Sequence, residues 1–391
     1  MKLLLIEPEY RGHHIALHVN LILEEAIKRN WEVIILTKKN LLESKAYSLF
    51  DKKIRKKIKF YFIQEIKFKN YRNYFYLLYI QWIKYKSITN SLNKIVLSEN
   101  PDHIYFVTLD HIDKILSILG LQFKRPVISG MLIYSRIYLK NNFINLIKKI
   151  LFLRLLNFNF IKNIFVVDQF FYNFCNNKIK NSKIIYTPDP GKIYYKFSKI
   201  KSRKKYHLSK NDFVILVYGA IKNSKGIYEL LEALNEIKIN NIKVIIAGEQ
   251  TNDIKLHLKN KLSKSLIQNN RLIIDRGFKN YKEEAILFAA TDVVWVAYND
   301  NFNGSSAVLY QAGSVKKPVI TSNKGLIGAI NDKYRIGFSV NINDKKTIIN
   351  RIFFMHKNKK IVKKLGINNF ILSKNHSDKN FSKIICDGII S

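Results

Sequence analysis

Two short stretches gather residue types suited to holding a diphosphate. In "VYGAIKNSKGIYELLEAL" (Val217 to Leu234) an apolar run ends at Gly219, a polar loop follows, and Lys225-Gly226 leads into a helix-spaced segment. A glycine at that point lets the backbone approach a ligand closely. The helix start offers unpaired amides and the positive end of a dipole, and Lys225 adds a point charge. The same residues also fit an ordinary strand-to-helix turn with a solvated lysine. The second stretch is "NFNGSSAVLYQAGSVKKPVIT" (Asn301 to Thr321). Ser305 or Ser306 can cap its helix, so the amides of Gly304, Ser305 and Ser306 form a second anion-binding start on the same sheet edge. Two such starts favour a diphosphate over a single phosphate. Gln311 sits on the helix behind them, either to hydrogen-bond sugar or ribose hydroxyls or simply as an exposed helical glutamine.

Other chemistries find no support. The chain has no G-x-x-x-x-G-K-[ST] loop and no G-x-G-x-x-G fingerprint. It has no G-x-S-x-G elbow for a nucleophilic serine. No D-x-D occurs, and no His, Cys or Asp cluster has metal-ligand spacing. Two cysteines, Cys175 and Cys386, stand far apart, which predicts a reducing compartment and no disulfide framework.

The elements that must position these residues alternate along the whole chain. "KLLLIEP", "WEVIILT", "IKFYFIQ", "HIYFVTL", "PVISGML", "NIFVVD" and "KIIYTPDP" read as strands in the first half. In the second half the strands are "FVILVYG", "KVIIAG", "RLIIDRG", "VVWVAY", "PVITS" and "GFSVNI". Helical spacing fills the gaps, as in Ile15 to Arg29, Tyr71 to Leu97, Gly226 to Ile237, Asp253 to Ile267, Lys282 to Ala290 and Lys345 to His356. Such alternation predicts an α/β fold with parallel sheets covered by helices on both faces, whose ligands bind beyond the strand C-termini. The length of 391 residues suggests two domains. The spacing predicts a first domain over 1–197, a linker over 198–212 entered through the Pro188-Asp189-Pro190-Gly191 turn, a second domain over 213–358, and a helical segment over 359–391 that caps or crosses between the domains.

The second half resembles the nucleotide-sugar-binding domain of GT-B glycosyltransferases, most closely family 4. "YGAIKNSKGIYELLEAL" is similar to the family's G-R-x-x-x-x-K-G-x-x-x-L-x-x-A. "KVIIAGEQ", "RLIIDRGFKNYKEEAILFAATDVVWVAY" and "NGSSAVLYQAGSVKKPVITSNKG" follow in the family's order and spacing over about 150 residues. The resemblance implies two Rossmann-like doubly wound domains facing a central cleft. It implies that Lys225, Gly226 and the Gly304 to Ser306 amides hold the donor diphosphate. Asn303 then faces the sugar, Gln311 the ribose, and Phe278 lies where the backbone meets the base. Three positions depart from the pattern: Ala220 replaces an arginine, and Asn303 and Gln311 replace the two glutamates of E-x7-E. Amides still donate and accept hydrogen bonds but lose charge-assisted strength.

The first half resembles the acceptor domain more loosely, best over "LLLIEPEYRGHHIALHVNLILEEAIKRNWEVIILT". The resemblance places Gly12, His13 and His14 in a loop facing the cleft. His13 or His14 can bind phosphate, orient an acceptor or relay a proton, or be a histidine pair without chemistry. Asp110 and His111, after "HIYFVTL", share that edge, and Arg136 can also reach the cleft.

A formal net charge of +38 reflects A/T-rich codon bias in part and otherwise attraction to polyanions: an anionic membrane face, nucleic acid or acidic substrates. "FKNYRNYFYLLYIQWIKYK" (Phe68 to Lys86) and "YLKNNFINLIKKILFLRLLNFNFIK" (Tyr138 to Lys162) mix cations with aromatics, as an interfacial helix does and as a core-facing helix with a solvated basic face also does. Nucleic acid lacks a recognition motif here. The apolar N-terminus is broken at Glu7, too early for a signal peptide, and no apolar stretch nears the ~20 residues of a membrane span. The reading is a cytoplasmic, peripheral inner-membrane glycosyltransferase, retaining and metal-independent. It would use a UDP- or GDP-linked sugar as co-substrate, with no permanent cofactor, and a glycan or lipid-linked acceptor in lipopolysaccharide or capsule biosynthesis. The alternative is a GT-B-shaped protein that binds nucleotide or glycan, or scaffolds a partner, without catalysis.

Overall fold

The computed structural model describes residues 1–9, 14–64, 74–121, 125–133, 143–181, 183–192, 197–300, 302 and 304–391. The chain divides into two compact units, 1–188 with 379–391, and 189–378.

In the first unit seven strands run parallel: β1 (Lys2–Ile6), β2 (Glu32–Thr37), β3 (Ile58–Phe62), β4 (His103–Phe106), β5 (Val127–Leu132), β6 (Ile161–Val166) and β7 (Ile184–Tyr186), in the order β3-β2-β1-β4-β5-β6-β7. Alternate side chains serve opposite faces. Leu4, Ile6, Ile34, Leu36, Ile104 and Phe106 pack with Ile88 and Leu92 of helix Tyr74–Glu99 and Phe152 and Leu155 of helix Phe143–Asn157. Leu3, Leu5, Val33, Ile35 and Tyr105 face the other way, onto helix Asn20–Lys28 and onto Phe381, Ile385 and Ile389 of the last helix, Asp378–Ile390. Burial on both faces is why these strands read as continuous apolar runs. The Lys162 ammonium donates to the Ile389 and Ile390 carbonyls, both at 3.0 Å, which closes the C-terminal end of that helix.

The second unit holds β8 (Phe213–Tyr218), β9 (Ile242–Gly248), β10 (Leu272–Arg276), β11 (Val293–Val296), β12 (Val319–Ser322) and β13 (Gly337–Val340), all parallel, in the order β10-β9-β8-β11-β12-β13. In both sheets the order reverses beside the first strand, at β1/β4 and at β8/β11. Such a reversal opens a crevice at the strand C-termini.

Residues 198–212 are a built part of the second unit rather than a tether. They contain helix Lys199–Lys205, in which Ser202 and Arg203 are buried. The Arg203 guanidinium donates to Asp292 at 2.6 Å and to the carbonyls of Ala290, Ser209 and Lys210 at 2.9–3.1 Å. The region from Asp253 to Ile267 splits into two helices, Asn252–His257 and Lys261–Gln268, because Asn260 caps the second by accepting from the Ser263 amide.

Candidate functional site

Three neighbouring strands of the second sheet, β8, β9 and β10, lead into Gly219 (φ 101°), Gly248 (φ 129°) and Gly277 (φ 84°). All three backbones adopt a conformation that side chains rarely tolerate. A Cβ on Gly248 would lie 1.9 Å from the Gly219 carbonyl oxygen, so the two strand ends touch backbone to backbone. The result is a bare floor at the crevice.

Lys225 stands over this floor. It ends the short turn Asn223–Lys225, and Gly226, at φ 58°, starts helix Ile227–Glu236. The side chain folds back, so that only 8% of Lys225 is exposed. Its ammonium donates to the Tyr218 carbonyl at 2.9 Å and to the Tyr298 hydroxyl at 3.2 Å. An ammonium has three donors, and the third has no partner among the described residues. The Nζ lies 4.0 Å from where a Gly219 Cβ would be. Trp295 Nε1 donates to the Lys225 carbonyl at 2.8 Å, and the Tyr218 hydroxyl donates to buried Glu284, which also pairs with Lys192 at 3.2 Å. Burial raises the Tyr218 hydroxyl further above its ordinary range, so it stays a donor. Lys225 is therefore clamped from several sides.

Helix Ala307–Ser314 supplies the facing groups. Ser306 occupies its N-cap position but makes no capping bond; its hydroxyl pairs with that of Tyr298 at 2.9 Å instead. The expected serine cap is absent because Tyr298 engages the Ser306 oxygen. Ser305 Oγ is sealed from solvent with no hydrogen-bond partner among the described residues. Gly304 is buried. Gln311 is buried, not an exposed helical residue, and its side-chain amide makes no hydrogen bond to a described residue. Asn303 lies outside the described residues. Phe278 follows β10 and is 45% exposed.

The neighbouring Tyr310 ring stacks on His376 at 3.6 Å. His376 Nδ1 donates to the Asp189 carbonyl at 3.0 Å, and its own carbonyl accepts from the Gly191 amide at 2.7 Å. Burial pushes the His376 imidazole down to about 4.

Residues 198–370 match the family model described as glycosyl transferases group 1. This stretch is a group 1 glycosyltransferase domain. No curated protein sequence matches the chain. Sucrose-phosphate synthase from Thermosynechococcus elongatus superposes with a TM-score of 0.71 at 13% identity, over 99% of this chain and 97% of that one. Anabaena HepE, in complex with UDP and glucose, gives 0.67 at 16% identity over 99% and 98%. WaaG, a glycosyltransferase involved in lipopolysaccharide biosynthesis, gives 0.66 at 11% identity over 99% of both chains. The architecture is GT-B, with two Rossmann-like parallel sheets. The group 1 domain thus carries Gly219, Lys225, Gly226, Phe278, Gly304, Ser305, Ser306 and Gln311 on one unit.

Outside the group 1 domain, the first unit gathers a second set of polar groups at the C-terminal ends of β1 and β4. Gly12, His13 and Arg136 lie outside the described residues, and His14 opens the π-helical turn His14–Val19. Asp110 Oδ2 accepts from the Ile133 amide at 2.8 Å, and its carbonyl accepts from Gln81 at 2.9 Å, so Asp110 ties the exits of β4 and β5 together. The residues that sequence reasoning passed over are Glu7, Glu9, Lys38 and Lys84. Glu7, fully buried, accepts from Thr108 Oγ1 at 2.8 Å and from the Glu9 amide at 3.0 Å. Burial drives its carboxyl up to about 7 against those hydrogen bonds. His111 Nε2 lies 3.8 Å from Glu7, and its Nδ1 accepts from Lys84 at 3.2 Å. Burial, reinforced by the Lys84 charge, pushes His111 down to about 4. Lys84 also pairs with Glu9 at 3.0 Å, and Lys38 does so at 3.6 Å. Burial favours the neutral form of Glu9, but Lys84 and Lys38 outweigh it and hold the carboxyl below its usual range. The available signal was a carboxylate at the exit of the first strand of a doubly wound sheet. Among the described residues, no group of three or more His, Cys, Asp or Glu side chains is arranged to hold a metal ion.

Proposed function

We propose that the chain is a glycosyltransferase that moves a sugar from a nucleotide diphosphate sugar to a cell-surface glycan or its lipid-linked carrier. One observation carries the reading. At the exits of β8, β9 and β10 the bare Gly219 backbone lies beside Lys225, whose third donor has no partner among the described residues, and beside Val308 of helix Ala307–Ser314. A buried ammonium normally uses all its donors, so the open one points to a polar ligand. Lys225 would neutralise the diphosphate, assisted by the amides of Gly226 and Gly304 to Ser306, with Asn303 on the sugar and Gln311 on the ribose. That fixed charge serves the leaving group in place of a divalent cation. Transfer would retain configuration, the departing phosphate oxygen taking the acceptor hydroxyl proton, with Gly12, His13, His14 and Asp110 on the acceptor side. HepE's complex with UDP and glucose supports a uridine-linked donor; a guanosine-linked one is the other candidate. A thermal-shift panel of nucleotides and nucleotide sugars tests this. At a hundredfold excess over Kd, a bound donor adds about 2.7 kcal/mol, or roughly 5–10 °C for a unit of this size. No shift with any nucleotide would sink the proposal.

The acceptor side is proposed to work at an anionic membrane face, from the cytoplasmic side. Helices Tyr74–Glu99, Asp113–Leu119 and Phe143–Asn157 are neighbours on one face of the first sheet. They leave Leu77, Tyr79, Trp82, Phe143, Leu146 and Ile150 exposed beside Lys86, Lys148 and Lys149, with Lys86 over the Trp82 ring at 3.9 Å. No helix among the described residues is long and apolar enough to cross a membrane, so contact would be interfacial. Sedimentation with anionic vesicles should be salt-sensitive and should weaken in a Phe143→Ser/Leu146→Ser variant. Protein left in the supernatant at low salt refutes it.

A second reading keeps binding and drops catalysis. Gln311 and Asn303, standing where the resembled family keeps glutamates, favour it. Persistent donor binding with neither hydrolysis nor transfer would establish it.

A further inference from the structure

We infer that the second unit has a membrane-contact face of its own: the outward side of helix Lys359–Lys374, which lies on anionic lipid. This face stands apart from the transferase reading and from the first unit's aromatic face.

The helix has two opposite sides. Gly366, Asn369, Leu372 and Ser373 are buried. Asn369 Nδ2 donates to the Lys317 carbonyl at 2.8 Å and to the Leu309 carbonyl at 3.2 Å. A Cβ on Gly366 would meet the Lys316 carbonyl oxygen at 2.1 Å. That side is therefore pressed on helix Ala307–Ser314 and the turn that follows it. Residues spaced by three and four share a helix face. Lys360, Lys364, Ile367, Ile371 and Lys374 follow that spacing, and all five are exposed. At ~100° per residue they centre on the side opposite the buried four. Ile367 is 42% exposed and Ile371 60%. Two aliphatics thus stand on the outermost line of a surface helix, with lysines at both ends of the stripe.

Charge around the stripe is of one sign. Residues 345–377 hold eight lysines and one arginine, and no Asp or Glu. Lys360, Lys363, Lys364 and Lys374 make no ion pair among the described residues. Lys374 and Lys316 each place an ammonium 5.1 Å from the Phe370 ring centroid. Two like charges on one ring repel, and neither has a carboxylate partner among the described residues.

The pairing of cations with aliphatics selects the partner. A nucleic acid would use the lysines and leave both isoleucines against phosphate and water. An anionic bilayer uses both. Each lysine brought to its surface adds about fivefold in partitioning, and the isoleucines enter the acyl boundary. The lysine stems are long enough to lie along the isoleucines while their ammonium groups stay at the headgroups. Because the inner side of this helix packs on the helix that carries Gln311, lipid held on the outer side holds the donor unit itself.

The test is fluorescence on the full chain. Both native cysteines are buried, so Ile371→Cys takes an NBD label at one place. Lys238→Cys, exposed on the same unit, is the comparison. On phosphatidylglycerol vesicles the label at position 371 should shift to the blue, brighten at least twofold and be quenched by nitroxide-bearing acyl chains. The label at position 238 should do none of these. Lys360→Glu/Lys364→Glu should weaken vesicle partitioning at least tenfold, with UDP affinity unchanged. It is measured in the Phe143→Ser/Leu146→Ser background, so that the first unit's face does not mask it. A label at position 371 that stays in water on vesicles overturns the proposal, as does an equal response at both positions. So does a response at position 371 to a single-stranded oligonucleotide or to polyglutamate that vesicles do not reproduce. Insertion at position 371, with partitioning unaffected by Phe143→Ser/Leu146→Ser, supports the second-unit face and dismisses the first-unit one. Loss of all partitioning in that variant, with position 371 still in water, does the reverse. Nucleotide-induced thermal shifts are read separately and bear on the transferase reading alone.

Discussion

Replacing Lys225 by alanine separates a ligand-binding lysine from a structural strut. An anion oxygen seated against the bare Gly219 backbone would lie about 4 Å from Nζ, a partly desolvated ion-pair distance. Two unit charges at that separation attract by about 4 kcal/mol at an effective dielectric constant of 20. Stripping water from both partners offsets much of this, and a net loss of at least about 1.4 kcal/mol, or tenfold in Kd, is the expected effect on a nucleoside diphosphate. The same change removes the bonds to the Tyr218 carbonyl and the Tyr298 hydroxyl, and a buried carbonyl left unpaired costs about 1–3 kcal/mol. Both stability and affinity therefore fall, and the assay must read them apart. Calorimetric titration with UDP and GDP well below the unfolding temperature gives affinity; thermal unfolding without ligand gives stability. Lys225→Arg keeps the charge. Its partial recovery of affinity marks an electrostatic role. A lowered unfolding temperature with an unchanged Kd would refute the reasoning and make Lys225 a brace for the β8 exit.

Gly248→Ala should lower the unfolding temperature by several degrees and nucleotide affinity by more than tenfold. Its Cβ would meet the Gly219 oxygen, and overpacking costs about 1–3 kcal/mol. Gly277→Ala is the comparison, since no atom lies within 4 Å of its Cβ position and only backbone strain remains; equal effects would dismiss the close approach. Arg203→Ala leaves the buried Ala290 carbonyl and its neighbours at Ser209 and Lys210 without their donor, while partly exposed Asp292 keeps Lys199 and the Val214 amide, so the second unit should lose about 1–3 kcal/mol, seen as roughly 2–10 °C in calorimetry, while folded protein keeps its nucleotide Kd. His376 is held at about 4, below the ordinary 6.5. A depressed base contributes stability that is present above 6.5 and lost as pH falls through 4, here about 3 kcal/mol. His376→Phe keeps a ring on Tyr310 and should flatten the unfolding temperature between pH 6.5 and 4 relative to wild type; an unchanged slope would assign the acid limb elsewhere.

The thirteen strands among the described residues were legible as short apolar runs, and the structure places them in two parallel sheets. The signal is strong because these strands are buried on both faces. Helix ends were less so: the predicted start at Tyr71 falls on residues outside those described, and the helix runs from Tyr74 to Glu99. The group 1 motifs were readable because their residues lie in single strand-loop-helix segments. Burial of Gln311 was not, since it depends on what packs over the helix. Helix Lys359–Lys374 presses so closely that a Gly313 Cβ would sit 1.8 Å from Ser373 Oγ. The Glu7 cluster was invisible for the same reason. Glu9 meets Lys84 across 75 residues, and Glu7 meets Thr108 across 101; no local pattern encodes such pairs.

The last helix bears on how the protein comes into being. Phe381, Ile385 and Ile389 belong to the core on one face of the first sheet, on a helix whose Gly388 abuts Phe165 of β6 and Ile185 of β7, yet they leave the ribosome after the entire second unit. The group 1 domain, second in the chain, can therefore finish folding first. Until that helix emerges, the nascent first unit leaves part of one sheet face uncovered, the rest being covered by helix Asn20–Lys28.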